Sequence, residues 1–115
     1  MRTAIMKIVQ KVARQALAFG AAETSKTFTF RKSGLLKHIT SIASDPTNVI
    51  TYGISIADAD GATVYSVATL ARNATTNTTG LLVPLCDEEY TVTVTLSGVP
   101  GVSGIEIKVT LLVER

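Results

Sequence analysis

From Gln15 onward the chain alternates apolar and polar residues with a period of two, and turn residues break the alternation at short intervals. That is the pattern of half-buried antiparallel strands. Gln15 to Gly20 and Lys26 to Arg31 read as two strands around the polar stretch Ala21 to Ser25. Leu35 to Ser44 reads as a third, closed by the turn Asp45-Pro46-Thr47-Asn48. Ile50 to Ala57 and Ala62 to Leu70 flank Asp58-Ala59-Asp60-Gly61, a hairpin in which Gly61 supplies the positive φ. Arg72 to Thr79 reads as a polar loop and Gly80 to Leu85 as a short apolar strand. The cleanest alternation follows, with Tyr90, Val92, Val94 and Leu96 on one face and Thr91, Thr93 and Thr95 on the other. Ser97-Gly98-Val99-Pro100-Gly101 places Pro then Gly at the centre of a type II turn, and Ile105 to Val113 closes the chain as a strand.

Before Gln15 the pattern changes. Ile5, Ile8, Val9, Val12 and Ala16 fall at helical spacing, with Lys7, Lys11 and Arg14 on other faces. Residues 3–14 therefore fit a short amphipathic helix, and they fit an extended arm equally well. The expected organisation is a basic arm over residues 1–14 and a β domain over 15–115. Seven to eight mostly antiparallel strands must stack into two sheets to bury their apolar faces. The fold class is an all-β antiparallel β-sandwich, jelly-roll or Ig-like.

Composition agrees with that class. The 115 residues include 17 Thr, 12 Val and 9 Ile, β-branched types that lose rotamer freedom in helices and pack well on a pleated surface. A chain of this length buries roughly two-thirds of its surface on folding, so a true core forms without disulfides or metals. The balance of 46% hydrophobic to 17% charged residues disfavours disorder and coiled coil.

The net charge of +2 conceals an asymmetry. Residues 1–37 hold eight bases and one acid, hence +7, whereas residues 38–115 hold three bases and eight acids, hence −5. Such a split favours docking of a basic arm onto an acidic surface, either nucleic acid or another subunit, against the plainer reading of a solvated tail. Lys7, Gln10, Lys11 and Arg14 interrupt every apolar stretch that could serve a secretory signal, and no 18-residue apolar run suits a membrane span. The single cysteine, Cys86, gives no internal disulfide and reads as a small core residue.

The candidate chemistry is sparse. Asp58 and Asp60 resemble half of a calcium loop, yet at its third and fifth positions they would place Ile56 first and Val67 twelfth, and neither side chain ligates calcium. His38 is the only histidine, which excludes a multi-histidine metal site within one chain and leaves any catalytic triad hanging on one strand residue. Asp87, Glu88 and Glu89 read as a solvated acidic turn, with docking of a neighbour's basic arm as the functional alternative. Gly98, Gly101 and Gly104 lack the Gly-Lys-Ser/Thr element of a phosphate loop. Asn73 and Asn77 match glycosylation acceptors that carry no weight without secretion. The Thr91, Thr93 and Thr95 row suggests a flat ice- or glycan-binding face, but a row on one strand is ordinary half-buried sheet. Phe28 and Phe30 lie beside Arg31 and Lys32, but alternation puts both rings on one inward face, so nucleic-acid binding gains little. Neither a catalytic constellation nor a cofactor site is expected.

The stretch Ile54-Ser55-Ile56-Ala57-Asp58-Ala59-Asp60-Gly61-Ala62-Thr63-Val64-Tyr65, then Leu81-Leu82-Val83-Pro84-Leu85, Tyr90 to Gly98 and Ile105 to Val113 together resemble the small β-sandwich virion proteins of tailed bacteriophages that decorate or cement capsids. The resemblance covers roughly residues 25–114 and implies a non-enzymatic structural protein at the capsid surface, made in the host cytoplasm. Its partners would be the major capsid protein and copies of itself, with no membrane, nucleic acid or small-molecule substrate. In such proteins an N-terminal arm often reaches a neighbouring subunit. The expected contacts are then Ile5, Lys7, Ile8, Val9, Lys11, Val12 and Arg14 on the arm, and Asp87, Glu88 and Glu89 as an acidic dock. The alternatives are a tail or neck protein of a phage and, from another class, a carbohydrate-binding or adhesive β-sandwich, which would show an exposed aromatic platform.

Overall fold

The computed structural model describes residues 9–114, the side chains of residues 9–13 excepted. It contains seven strands: β1 (Val9–Phe19), β2 (Ser25–Ala43), β3 (Thr51–Ala57), β4 (Thr63–Ala71), β5 (Ala74–Thr78), β6 (Val83–Leu96) and β7 (Ile105–Glu114). All pairings are antiparallel, in the order β1-β7-β2-β6-β3-β4, with β5 on β2. The all-β sandwich expected from the alternation is the fold observed.

The long strand β2 makes two layers out of one hydrogen-bonded sheet. Its first half pairs with β6 from Ser25↔Thr95 to Leu36↔Val83, and its second half pairs with β7 from Leu35↔Glu114 to Ala43↔Ile107. Bulges at Lys32/Ser33 and Leu36/His38 flank the crossover, the device by which a strand bends from one sheet into another. Gly34 lies between them with φ of +129°, and a Cβ there would stand 2.5 Å from the Glu114 carbonyl oxygen. Only glycine fits. One layer is therefore β1-β7-β2-β5 and the other β2-β6-β3-β4.

The inward faces meet in one core. Rows of side chains in register, such as Phe28-Val92-Ile56-Tyr65, line one layer, and Ile107, Val109, Leu111 and Val113 of β7 line the other, all buried. The layers are joined inside by Ser41 of β2 and Tyr52 of β3, whose hydroxyls lie 2.6 Å apart and buried. Phe30 and Tyr90 stack with centroids 5.4 Å apart. Full burial of each such side chain contributes about 1.5–3 kcal/mol.

Several expectations are corrected. Of the two readings left open for residues 3–14, the extended one holds where the backbone is described: Val9 to Arg14 is strand, because the β7 edge offers it a ladder from Val9↔Glu114 to Arg14↔Thr110, and β1 runs across the 14/15 boundary. The separate strands Lys26–Arg31 and Leu35–Ser44 are one strand, as are the short strand before Leu85 and the one from Tyr90. The polar segment 72–79 contains β5, whose Thr and Asn side chains alternate on a ladder with Ile39 to Ala43. Cys86 is exposed rather than a core residue, because it follows Leu85 on the opposite face of β6.

Candidate interaction surfaces

The acidic triplet is not a turn. Asp87 is the extra residue of a bulge inside β6, with φ of +53°, between Lys32↔Glu88 and Ser33↔Cys86. An aspartate tolerates that conformation better than most residues. The triplet is also partnered by the chain's own bases: the Arg31 guanidinium donates to the Asp87 carbonyl at 2.6 Å and lies 3.9 Å from its carboxylate, and Arg31 stands opposite Glu89 in register. Glu88 Oε1 accepts from the Ala59 N–H at 2.9 Å and so ties the bulge to the β3–β4 hairpin.

That hairpin is built as its sequence suggests. Asp58 Oδ1 accepts from the N–H groups of Asp60 and Ala62 at 3.0 and 2.9 Å, Gly61 has φ of +84°, and its N–H donates to the Asp58 carbonyl. One oxygen of the Asp58 carboxylate is thus engaged inside the turn. No cluster of three or more His, Cys, Asp or Glu residues fit to hold a metal occurs among the described residues.

Of the arm residues, Ile5, Lys7 and Ile8 lie outside the described residues. The backbones of Val9, Lys11 and Val12 belong to β1, and Arg14 is exposed on its outer face opposite Thr110. Arm and acidic bulge are not brought together within the described chain. Other bases of the N-terminal third pair locally: Lys26 with Glu23 at 3.2 Å and Lys37 with Glu114 at 3.9 Å. The Gly20 N–H, followed by the Lys26 ammonium, holds the Glu23 carboxyl below its ordinary range. Burial pushes the Tyr90 phenol above its own, against the Cys86 N–H that donates to it at 2.8 Å.

His38 is half-buried on the outer face of the β1-β7-β2-β5 layer, with Nε2 3.1 Å from Thr40 Oγ1, which donates to Asn77 Oδ1 at 3.0 Å. These neighbours supply no carboxylate, and the arrangement is a hydrogen-bonded surface chain. It does not build a triad.

On the outer face of the other layer the threonine row of β6 extends further than one strand. Thr27-Thr93-Ser55-Ser66 and Thr29-Thr91-Ala57-Thr63 stand in register across β2, β6, β3 and β4, with Ser25-Thr95-Gly53 alongside. The single-strand threonine row is thus part of a four-strand grid with strands about 4.8 Å apart. No hydrogen bond within the described chain engages these hydroxyls. Shallow depressions run over Gly53, between Thr95 and Ala68. The signal was present in Thr27 and Thr29, which alternate as Thr91 to Thr95 do, but only the pairing of the two strands joins them.

Aromatic side chains make no exposed platform. Phe19, Phe30, Tyr52 and Tyr90 are buried, and Phe28 and Tyr65 pack half-buried against the core.

No protein-family model matches the sequence, and no curated protein matches it. Among solved structures, the chain is similar to a chain of the cyanophage Pam1 capsid asymmetric unit, with TM-score 0.68 and 22% identity over 99% of this chain and 93% of that one. It is similar to a chain of the T13 particle of infectious bursal disease virus, with TM-score 0.58 and 12% identity over 94% of this chain but 31% of that chain. A CBM4 carbohydrate-binding module matches with TM-score 0.52 and 9% identity over 95% of this chain and 94% of that chain. At these identities the likeness is one of fold: the β-sandwich that viral capsid chains and binding modules share.

Proposed function

We propose that this chain is a structural virion protein of a phage, a capsid decoration or stabilising protein without enzymatic activity, bound to the outside of the head through subunit contacts. The observation that carries the reading is the end-to-end match with a capsid chain of a cyanophage, which spans nearly all of both chains. The larger viral chain that shares the fold uses it as one part among others; the cyanophage match is to a chain of about this size. Many copies on a symmetric shell let modest individual contacts hold. The N-terminal bases remain the proposed clamp on a neighbouring chain, now limited to residues 1–8, because residues 9–14 belong to the sheet. The aromatic side chains, buried or packed against the core, disfavour the carbohydrate-binding alternative.

The test is co-sedimentation of the purified protein with phage heads lacking it. Saturable binding at a copy number set by the shell lattice, with protection of the heads against heat or low salt, is the expected result. Failure to bind, or binding at a few copies at one vertex, overturns decoration, and the latter outcome points to the neck or tail. A chain lacking residues 1–8 keeps its thermal midpoint and loses most of its capsid occupancy; full occupancy without those residues overturns the clamp.

A further inference from the structure

We propose that the groove on the outer face of the β2-β6-β3-β4 layer binds a neutral carbohydrate chain, held by hydrogen bonds without ring stacking. A bulge builds one wall. Tyr52 pairs with Leu70 and Ile54 with Val67, so Ala68 and Thr69 of β4 both stand against Gly53 of β3. The β4 backbone comes so close that a Cβ on Gly53 would stand 2.9 Å from the Val67 carbonyl oxygen. Only glycine fits there, and its missing side chain leaves the sheet surface open. Thr69 takes φ of +59°, a conformation unfavourable for a β-branched residue. Backbone outliers of this kind concentrate where they shape a ligand site. Thr95 of β6, in register with Gly53, stands on the opposite side.

Two depressions of about 290 and 250 Å³ share Gly53, Ala68 and Thr95 in their lining. Side by side they reach the lower part of the roughly 300–1,000 Å³ range of ligand clefts. Thr69 and Ser97 line the first and Ser55, Ser66 and Thr93 the second, and no charged side chain lines either. The hydroxyls of Ser55, Ser66, Thr93 and Thr95 have no hydrogen-bond partner within the described chain. A face that is merely solvated carries Lys and Glu, whereas the outward positions of Ser25–Thr29, Gly53–Ala57 and Thr91–Thr95 are all Ser, Thr, Gly or Ala. The chemistry selects the ligand. An ionised molecule finds no countercharge in this groove, and an apolar one leaves the hydroxyls unpaired. A sugar hydroxyl both donates and accepts, as each Ser and Thr hydroxyl does, so the two sets satisfy one another in either sense. No ring faces the groove, because Tyr52 turns its own into the core toward Ser41, and a single site is therefore weak, with a Kd of about 1 mM.

The inference goes beyond the capsid reading, and its test uses the isolated full chain, so heads and sugar can fail independently. The ¹⁵N-labelled protein is titrated with the neutral hexasaccharides cellohexaose, maltohexaose, xylohexaose and mannohexaose, each to about 10 mM, and followed by amide chemical shifts. At least one is expected to give saturable shifts centred on Gly53, Ser55, Ser66, Ala68 and Thr95. Thr93→Val/Thr95→Val removes two hydroxyls and keeps side-chain shape, and should bind that sugar at least about fivefold more weakly with an unchanged thermal midpoint. Ser55→Ala/Ser66→Ala should weaken binding likewise, which covers the case in which the valine pair perturbs folding. Thr75→Val, on the outer face of the other layer, should bind as the wild type does. No saturable shift with any of the four sugars, shifts centred outside the groove, or binding undiminished in the hydroxyl-free pairs overturns the proposal.

Discussion

Among the described residues Ser41 is the polar side chain buried in the apolar core, and its hydroxyl lies 2.6 Å from the Tyr52 hydroxyl on the facing layer. Removing one partner leaves the other buried and unsatisfied, at a cost of about 1–3 kcal/mol, whereas removing both is far milder. Ser41→Ala and Tyr52→Phe are each expected to lower stability in denaturant titration by that amount, and the double variant by less than the sum. Glu23 makes a second prediction at this scale. Its carboxyl is held below its ordinary 4.5 by the Gly20 N–H and by Lys26, so the stability it contributes is present above 4.5 and is lost as pH falls through the lowered native value. The thermal midpoints of wild type and Glu23→Gln should differ at neutral pH and converge in acid, and an NMR titration should place the Glu23 midpoint below 4.5. The alternation made the inward rings of Phe28 and Phe30 legible. It could not settle which of Leu35 and Leu36 is buried, because the bulge at Leu36/His38 shifts the phase so that Leu36 and Ile39, three apart, both face the core.

At the scale of elements, the same bulges explain which strands the pattern reads well. β3, β7 and the second half of β6 alternate without interruption, and their inward residues are those the period of two picks out. β2 and β6 were each read as two strands, because Ser33-Gly34 and Cys86-Asp87 break the alternation locally while the ladder between the strands continues across the break. Gly34→Ala tests how much the crossover depends on one residue. With φ of +129° and the Glu114 carbonyl in the way, the substitution is expected to cost about 3 kcal/mol or more, seen as a large drop in thermal midpoint, while Gly61→Ala in the open hairpin, with nothing within 4 Å of the new Cβ, costs about 1 kcal/mol. β5 was missed for a different reason. Its side chains are all small and polar apart from Ala74, so nothing in its own pattern marks a buried face, and its strand state comes from the free edge of β2.

For the whole molecule, the two outer faces differ in chemistry, and that difference is a property of register. The hydroxyl grid assembles from four strands far apart in sequence. The acidic cluster illustrates the reverse: Asp87, Glu88 and Glu89 read in the sequence as a solvated turn, with docking of a foreign base as the alternative, and the fold makes them a bulged strand beside Arg31 and the Ala59 N–H. By itself the sequence determined the all-β class, the Asp58–Gly61 hairpin and most of the core, because side-chain period and turn chemistry are local and act before any partner strand arrives. Only the tertiary structure decided where β2 crosses between layers, that residues 9–14 join the sheet, and which polar groups remain unspent at the surface. Those outcomes depend on which backbone edges and charges meet across long loops, and no local window of the chain contains both partners.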